Sequence, residues 1–219
     1  MLELNKLYLM DCMEGMAQFP DKYFDLAIVD PPYGILQLGM KFTRPDRKKG
    51  HGDVYKSKHK VKSWDNEKPT KDYFSELERI TKNRFIFGGN YFTDYLQPSG
   101  CWVFWDKKNG DGNHFADGEF VWTSFKSNSR LYRLSVYHGT NGGKDRIHPT
   151  QKPVQLYKWI LYNYAKPDFK IIDTHAGSCS SVIAFLDYGC DWIAFEIDKD
   201  YYEAASKRIE NHKLQLKLF

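Results

Sequence analysis

The chain has 219 residues, a hydrophobic fraction of 42% and a formal net charge of +4. This length favours one domain with a substantial core, and no stretch approaches the ~18 consecutive apolar residues of a membrane span. Residues 1–6 lack the apolar core of a signal peptide, and the four cysteines form no C-x-x-C pair. We therefore expect a cytoplasmic monomer or homodimer with reduced thiols and without a metal site or a membrane anchor.

Strand patterns alternate with helix patterns along the chain. The strands predicted from short apolar runs are, in chain order, Leu7–Asp11, Leu26–Asp30, Arg84–Phe87, Cys101–Trp105, Glu119–Phe125, Leu131–Tyr137, Lys170–Asp173 and Trp192–Glu196. The predicted helices are Met13–Phe19, Asp72–Thr81, Tyr91–Leu96, Val182–Tyr188 and Tyr201–Lys213. Runs that are apolar throughout are typical of strands buried on both faces of a parallel sheet. The alternation predicts an α/β fold with a doubly wound, mostly parallel sheet.

Four of these strands end in an acidic residue, namely Asp11, Asp30, Asp173 and Glu196. Open α/β sheets bind their ligands at the carboxyl ends of the strands. A single acid at such a position is common, because strands often stop at Asp. Four in one small protein favour a ligand site, and chance placement is the alternative.

The charge is unevenly distributed along the chain. Residues 34–63 carry seven Lys, two Arg and two Asp, a net charge of +7, which leaves −3 for the rest of the chain. A concentrated basic segment on a near-neutral body favours a polyanion as partner, and a solvated loop with no partner is the alternative. Residues 107–146 contain turn sequences such as Asn141–Gly143 and are predicted to lie outside the core.

The sharpest local motif is Asp30-Pro31-Pro32-Tyr33, directly after an apolar strand. Two prolines stiffen the backbone and cannot continue a strand ladder, so they hold the Asp30 carboxylate and the Tyr33 ring in a fixed relation. A carboxylate, a carbonyl and an aromatic face suit a planar ring that bears an amino group. A rigid turn without a ligand is the alternative.

A second motif, residues 173–181, lies between a predicted strand and a predicted helix. Its small residues allow a ligand to approach the backbone, and the start of a helix offers free N–H donors. Glu196 ends the next strand, where acidic residues of nucleotide-binding folds bind ribose hydroxyls. His175 is interpreted as a packing or hydrogen-bonding residue, because no other His or Cys stands at a metal-ligand spacing.

These motifs resemble those of amino-methyltransferases that act on DNA. Residues 30–33 look like the catalytic D-P-P-Y motif, and residues 173–181 resemble the S-adenosylmethionine loop D-x-x-x-G-S-G-[ST]-[ST], with Cys179 in place of its second glycine. Residues 146–153 match the segment that precedes this loop in the family. The order of the motifs is that of the circularly permuted beta class, and the chain is similar to its short phage or prophage members. The resemblance implies a single domain over residues 1–219 with a seven-stranded Rossmann-like sheet.

The resemblance also implies a role for each matched residue. The amino-terminal strand would complete the cofactor half of the permuted sheet, with S-adenosylmethionine as cofactor. The catalytic residues would be Asp30, Pro31, Pro32 and Tyr33. The cofactor-binding residues would be Asp11, Cys12, Thr150, Lys152, Pro153, Asp173, His175, Gly177, Ser178, Ser180, Glu196 and Ile197. Within these, Lys152 is a candidate partner for the cofactor carboxylate, and a surface charge beside a helix start is the alternative.

For such an enzyme, DNA is the expected partner and the N6 amino group of adenine the expected target. Methylation of cytosine N4 is the alternative, although those enzymes more often have Ser in place of Asp30, and an inert DNA-binding protein with the same fold is another. Residues 34–63 are predicted to form a DNA-binding loop, and residues 107–146 a target-recognition insertion. The predicted DNA-binding residues are Lys56, Lys58, Lys60, Lys62, Lys126, Arg130 and Arg133.

The last five residues form a separate motif. Gln215, Leu216, Leu218 and Phe219 resemble the Q-L-x-L-F peptide by which bacterial proteins dock on the replication sliding clamp. Such a peptide places Leu and Phe anchors in an apolar groove, with Gln at the rim. Packing of the same apolar residues on the enzyme's own core is the alternative.

Overall fold

The computed structural model describes residues 1–34, 68–109 and 116–216. Within these ranges the strands form one sheet in the order β1-β8-β7-β2-β3-β5-β4-β6. The strands are β1 (Lys6–Leu9), β2 (Phe24–Val29), β3 (Thr81–Phe87), β4 (Trp102–Asp106), β5 (Gly118–Thr123), β6 (Arg130–Arg133), β7 (Lys170–Asp173) and β8 (Asp191–Glu196). Only β5 runs antiparallel to its neighbours among these described strands. The prediction of a mostly parallel α/β sheet is confirmed, with eight described strands where seven were expected.

Helices cover both faces of the sheet, which confirms the doubly wound prediction. The helices of the described ranges are α1 (Cys12–Met16), α2 (Lys71–Ile80), α3 (Val154–Tyr164), α4 (Ser180–Tyr188) and α5 (Lys199–Leu216). Met16 of α1 and Leu77 of α2 belong to one buried apolar cluster. Ile160 of α3, Phe185 of α4 and Ile209 of α5 belong to the cluster on the other face. No helix in the described part of the chain is long and apolar enough to cross a membrane.

The region 107–146 is more closely integrated than its turn-rich sequence suggests. It contributes β5 and β6, which pair with the two sides of β4 rather than with each other. Val121 and Trp122 of β5 are buried, so the expectation that this region lies outside the core is wrong for β5. Its apolar run was visible in the sequence, but its partner strand lies at a distance along the chain.

Two helix predictions differ from the structure. Residues 91–96 form no α-helix, because the chain passes from a left-handed Gly88 (φ +65°) into a short 3-10 turn at Gly89–Tyr91, and Pro98 prevents a helix from continuing. Helix α3 was not predicted, although its buried residues Leu156, Tyr157, Ile160 and Leu161 follow the spacing of one helix face.

Strand order explains where the motifs come together. β1, β8, β7 and β2 are parallel neighbours. Their carboxyl ends therefore meet at one edge of the sheet, where Asp11, Glu196, Asp173 and Asp30 follow or end the strands. The amino-terminal β1 lies beside β8, as the resemblance requires for the cofactor half of the sheet.

Candidate active site

Two cavities meet at the carboxyl edge of the sheet. The first, here called the strand-end cavity, has a volume of about 240 Å³ and is lined by residues that follow β1, β7 and β8. The second, here called the tyrosine cavity, has a volume of about 580 Å³ and is lined by Tyr33, Tyr91 and Tyr137 among others. Their shared wall consists of Asp30, Pro32, Thr150, Gln151 and Lys152.

Carboxylates held by backbone N–H groups define the far end of the strand-end cavity. Asp11 caps α1, and its Oδ1 accepts a hydrogen bond from the Met13 N–H at 2.7 Å. Glu196 accepts one bond from the Gly177 N–H and one from the Asp198 N–H, each at 2.8 Å. Burial raises the pKa of Glu196, and these backbone donors oppose the shift. The geometry places Glu196 between the loop after β7 and the start of α5.

The loop after β7 is held by its own polar residues. Asp173 accepts a hydrogen bond from the Ser181 hydroxyl at 2.5 Å and another from the His175 N–H at 3.0 Å. Burial raises the pKa of Asp173 to about 7. From α5, Arg208 donates to the Ser178 carbonyl at 2.7 Å. The loop therefore has a defined shape before any ligand enters.

Cys179 stands where related loops have a glycine, and the backbone there has the conformation that glycine favours. Its φ of +57° lies in the left-handed region, and it directly precedes α4. Its thiol is buried, and burial raises its pKa well above the usual range. Cys179 therefore keeps the turn that a glycine would make while adding a side chain to the core.

His175 is a buried residue that contacts a hydroxyl group and is favoured in its neutral form. Its Nδ1 lies 2.9 Å from the Thr174 hydroxyl, which in turn lies 2.7 Å from the Tyr73 hydroxyl. Burial lowers the pKa of His175 to about 4. Among the described residues there is no group of three His, Cys, Asp or Glu side chains that could hold a metal ion.

The Asp30–Tyr33 turn projects its polar groups into the tyrosine cavity. The Tyr33 hydroxyl donates to Asp30 Oδ1 at 2.6 Å, and the Tyr33 ring stacks on Tyr91 with centroids 5.1 Å apart and planes inclined by 17°. Gly88 makes room for this ring, because a Cβ atom there would lie 2.3 Å from it. Burial and the neighbouring Asp30 raise the pKa of Tyr33 well above its usual value.

Lys152 and Glu119 complete the wall around Asp30. The Lys152 ammonium lies 2.5 Å from Asp30 Oδ2 and 3.2 Å from Glu119 Oε2, and its side chain is only 4% exposed. Burial, together with Glu119, raises the pKa of Asp30 against the opposing effect of Lys152. Burial also opposes ionisation of Glu119, but Lys152 and Lys107 outweigh it and lower the pKa of Glu119. Lys152 is thus a buried ion-pair partner of Asp30, not the surface charge of the alternative interpretation.

The structure gathers most of the predicted site residues but not all of them. Those that line the strand-end cavity are Asp11, Cys12, Asp30, Pro32, Thr150, Lys152, His175, Gly177, Ser178, Glu196 and Ile197. Pro31 and Tyr33 line the tyrosine cavity. Pro153, Asp173 and Ser180 line neither cavity. Asp173 and Ser180 form hydrogen bonds within the loop, and the cofactor-binding role of these three residues stays a prediction.

Several lining residues were not singled out from the sequence. His148 and Tyr201 line the strand-end cavity with their rings 4.3 Å apart, and Tyr157 of α3 lies on the same cavity. His148 stands inside the matched segment 146–153, which is a signal that points to it. Glu119 has no local motif, because its position depends on the insertion of β5 between β3 and β4, where Glu119 lies opposite Trp105.

The predicted DNA-binding residues fall into two groups. Lys126, Arg130 and Arg133 are exposed and line neither cavity, and Arg133 pairs with Asp106 at 2.9 Å. The other group, Lys56, Lys58, Lys60 and Lys62, lies outside the described residues. In the carboxyl-terminal motif, Gln215 is an exposed residue of α5, Leu216 ends that helix, and Leu218 and Phe219 lie outside the described residues.

The sequence profile of a DNA methylase family, named for N6 and N4 methyltransferases, matches residues 94–207, just over half of the chain. A type II methyltransferase of Moraxella bovis, M2.MboI, is 21% identical over 92% of this chain and 86% of its own length. The type II methyltransferase M.HinfI of Haemophilus influenzae is 25% identical over 96% of this chain and 69% of its own length.

Solved structures share the fold at low sequence identity. The complex of M1.HpyAVI with SAM superposes with a TM-score of 0.60 at 18% identity, covering 93% of this chain and 98% of that one. The cytosine-N4-specific PvuII DNA methyltransferase gives a TM-score of 0.62 at 15% identity, covering 93% and 85% of the two chains. A DNA modification methylase of Thermus thermophilus, bound to S-adenosyl-L-methionine, gives 0.57 at 12% identity, covering 94% and 93%.

Proposed function

This chain belongs to the DNA methylase family, and we propose that it transfers a methyl group from S-adenosylmethionine to the N6 amino group of adenine in DNA. The observation that carries the proposal is the position of Asp30. Its carboxylate lies on the wall shared by the two cavities, beside the Tyr33 ring. A cofactor in the strand-end cavity and a base in the tyrosine cavity would therefore approach each other at Asp30.

The strand-end cavity fits the chemistry of S-adenosylmethionine. Away from the shared wall, its described lining includes Asp11, Glu196 and Asp198 but neither Lys nor Arg. Carboxylates accept hydrogen bonds from ribose hydroxyls, and their negative charge complements a positively charged sulfonium. When bound, the cofactor supplies a methyl group that is already activated on that sulfur.

The tyrosine cavity supplies what a flipped base needs. A base inside a duplex must leave the stack before an enzyme can reach its amino group. The Asp30 carboxylate and the Pro31 carbonyl accept hydrogen bonds from the two amino hydrogens, which localises the nitrogen lone pair toward the incoming methyl group. The Tyr33 ring offers a face on which the base stacks. The two prolines fix the positions of the Asp30 carboxylate, the Pro31 carbonyl and the Tyr33 ring relative to one another.

The choice of adenine rests on the residue before Pro31-Pro32-Tyr33. Cytosine N4 enzymes, which the family also covers, resemble this chain in fold but more often have Ser where this chain has Asp30. Asp at this position favours adenine, and N4 of cytosine is the competing target.

Transfer of labelled methyl groups tests the proposal directly. The purified protein is incubated with tritium-labelled S-adenosylmethionine and unmethylated bacterial genomic DNA, and the digested nucleosides are separated by chromatography. We expect the label in N6-methyladenine. Label in N4-methylcytosine would overturn the adenine assignment, and no label in any base, with cofactor binding intact, would overturn the methyltransferase assignment.

We further propose that residues 34–63 contact DNA phosphates. The support is the net charge of +7 and the position of the segment directly after Tyr33. Each lost phosphate contact lowers the log–log salt slope of DNA binding by about 0.9, so replacing Lys56, Lys58, Lys60 and Lys62 with Gln should flatten it. The exposed lysines Lys166, Lys199 and Lys207, which line neither cavity, provide the control. An equal slope in both variants would contradict the proposal.

The carboxyl-terminal residues are proposed to bind the bacterial sliding clamp. The support is the match of Gln215, Leu216, Leu218 and Phe219 to the clamp-binding peptide and the exposure of Gln215 at the end of α5. Deleting residues 215–219 should abolish binding to purified clamp and leave methylation of free DNA unchanged. A lower melting temperature and lower activity, with no clamp binding by the intact protein, would instead mean that these residues pack on the enzyme itself.

A further inference from the structure

The wall of the tyrosine cavity contains a chain of four charged groups that are buried or largely buried. Lys152 lies between Asp30 at 2.5 Å and Glu119 at 3.2 Å, and Glu119 also contacts Lys107 at 2.6 Å. The four side chains are between 4% and 19% exposed. The two positive and two negative charges give the group a net charge of zero, which lowers the free-energy cost of burying the ionised carboxylates.

This arrangement occupies the carboxylate that the target base needs. Asp30 Oδ1 accepts a hydrogen bond from the Tyr33 hydroxyl, and Asp30 Oδ2 accepts one from Lys152. An amino group that binds Asp30 Oδ2 therefore either shares this oxygen with the Lys152 ammonium or displaces it. A buried ammonium does not leave a carboxylate without another acceptor, because an unpaired buried charge is costly. The Tyr33 hydroxyl oxygen lies 3.3 Å from this ammonium but carries no charge, so the charged acceptor within reach among the described residues is Glu119, which lines the same cavity.

We propose that Glu119 is a positioning residue for methyl transfer, which holds Lys152 beside Asp30 and retains it when the target amino group binds Asp30. The proposal rests on the proposed function, because it concerns the same target amino group. Glu119 is suited to this role by its two lysine partners. Lys107 lowers the pKa of Glu119 and so keeps it ionised wherever Lys152 lies. The Tyr33 hydroxyl donates to Glu119 Oε2 at 3.4 Å, so Glu119 also contacts the residue on which the base is proposed to stack.

The contacts of Glu119 also distinguish it from a residue that only fills space. It lies on β5 opposite Trp105, within a strand pair that carries its backbone hydrogen bonds. Its carboxylate contacts charged and hydroxyl groups from three other parts of the chain, which are the ends of β2 and β4 and the segment before α3. A side chain that only filled space in this wall would require no charge.

The test uses variants of the full chain with matched size. Glu119→Gln keeps the shape and removes the charge, Glu119→Asp keeps the charge on a shorter arm, and Glu203→Gln is the control on the exposed face of α5. We expect Glu119→Gln to lower kcat at least about tenfold with the KM for S-adenosylmethionine unchanged, and Glu119→Asp to restore part of the loss. A kcat equal to that of the control, or a loss confined to the cofactor KM, would overturn the proposal.

A second readout needs no cofactor and no DNA. The charged or titratable groups of the described residues that face Asp30 are Tyr33 of its own turn, Tyr73 of α2, Lys152, Glu119 of β5, Asp173 of β7 and Tyr157 of α3, and Lys107 faces Glu119. Because Glu119 raises the pKa of Asp30, removing its charge should move the titration midpoint of Asp30 to lower pH. The midpoint is followed by carboxyl carbon NMR of the protein alone, with Asp30→Asn to assign the signal.

The two readouts separate the possible failures. An unchanged Asp30 midpoint in Glu119→Gln would overturn the electrostatic link between Glu119 and Asp30, whatever the reaction. If the wild-type protein methylates no DNA, the proposed function fails and the positioning role fails with it, while the titration still decides the electrostatic link. Melting temperatures of the three variants within a few degrees of wild type establish that the comparison is between folded proteins.

Discussion

The carboxylates of the two cavities have different kinds of partner. In and behind the strand-end cavity, Glu196 and Asp173 are held by backbone N–H groups and a hydroxyl. In the tyrosine cavity, Asp30 and Glu119 are paired with lysines. Glu196 has no lysine or arginine partner among the described residues, whereas lysines neutralise Asp30 and Glu119.

This difference follows from what each cavity is proposed to bind. A sulfonium cofactor brings its own positive charge, so carboxylates without cations complement it. A neutral base brings none, so a carboxylate that must remain ionised beside it needs a cation from the protein. The comparison predicts that substitutions on the two sides affect different steps.

The largest expected effect is that of Asp30→Ala. Methylation should fall by about 10² to 10³-fold or more, because the group that binds the target amino hydrogens is lost. Cofactor binding should remain nearly intact, because the other end of the strand-end cavity is unchanged. Transfer of labelled methyl groups measures the first quantity and calorimetry the second. Asp30→Asn, which keeps the shape of the side chain, should likewise lose methylation and retain cofactor binding. Lost cofactor affinity with retained methylation would show that Asp30 has no catalytic role.

Gly88→Ala tests the tyrosine cavity through the position of one ring. A Cβ atom at Gly88 would lie 2.3 Å from the Tyr33 ring, so the ring must move, and a misplacement of about 1 Å can cost about 100-fold in rate. Gly189→Ala is the matched control, because Gly189 also has a positive φ (+81°) but open space around it. We expect the kinetic loss in Gly88→Ala alone. Equal activity of the two variants would show that the Tyr33 position is unimportant.

Much of the strand-end side could be predicted from the sequence, because its signals are local. Asp11, Asp173 and Glu196 each stand at or just beyond the end of an apolar strand, and parallel strands bring such ends together. Cys179, which replaces the second glycine of the loop motif, also lies in a loop that the sequence identifies. Its left-handed backbone, however, depends on a fold that tolerates φ of +57° in a non-glycine residue.

The tyrosine side could be predicted only in part, because its contacts join distant segments. Lys152 reaches Asp30 across 122 positions of sequence, and Glu119 joins them only because β5 inserts antiparallel between β3 and β4. No pattern within residues 107–146 shows which face of β5 meets Asp30. Charge pairing of this kind is decided by the sheet order and not by any local motif.

A smaller effect is expected for Glu196→Gln. The amide cannot accept from both the Gly177 and the Asp198 N–H groups as the carboxylate does, and it removes a charge from the cavity. We expect cofactor affinity to fall about tenfold, equivalent to ~1.4 kcal/mol, with DNA binding unchanged. Calorimetry with S-adenosylmethionine measures this, with the exposed Glu203→Gln as control. Unchanged cofactor affinity would mean that Glu196 lies outside the cofactor site.

Asp173 is expected to affect the pH dependence of stability and not the reaction itself. Because burial raises the pKa of Asp173 to about 7, the unfolded chain releases this proton near pH 4 while the folded protein keeps it. Stability should therefore fall as pH rises from about 4 to 7, by ~1.4 kcal/mol per pKa unit of difference. Asp173→Asn removes this contribution, so its unfolding free energy relative to wild type should increase over the same range.

Urea unfolding at pH 4.5 and pH 7 measures that difference. His175, with a pKa lowered to about 4, titrates in both proteins, so its contribution cancels in the comparison. The exposed Asp200→Asn serves as control. If the free energies of unfolding of Asp173→Asn and wild type differ by the same amount at both pH values, Asp173 is ionised throughout the range.

The central claim is that the cofactor binds on one side of Asp30 and the base on the other. A crystal structure of the protein with S-adenosylhomocysteine, the product that lacks the transferable methyl group, tests this most directly. We expect the nucleoside to lie in the strand-end cavity with its ribose hydroxyls at Glu196, while the tyrosine cavity stays open beside Tyr33. A nucleoside bound in the tyrosine cavity, or a ribose away from Glu196, would contradict it.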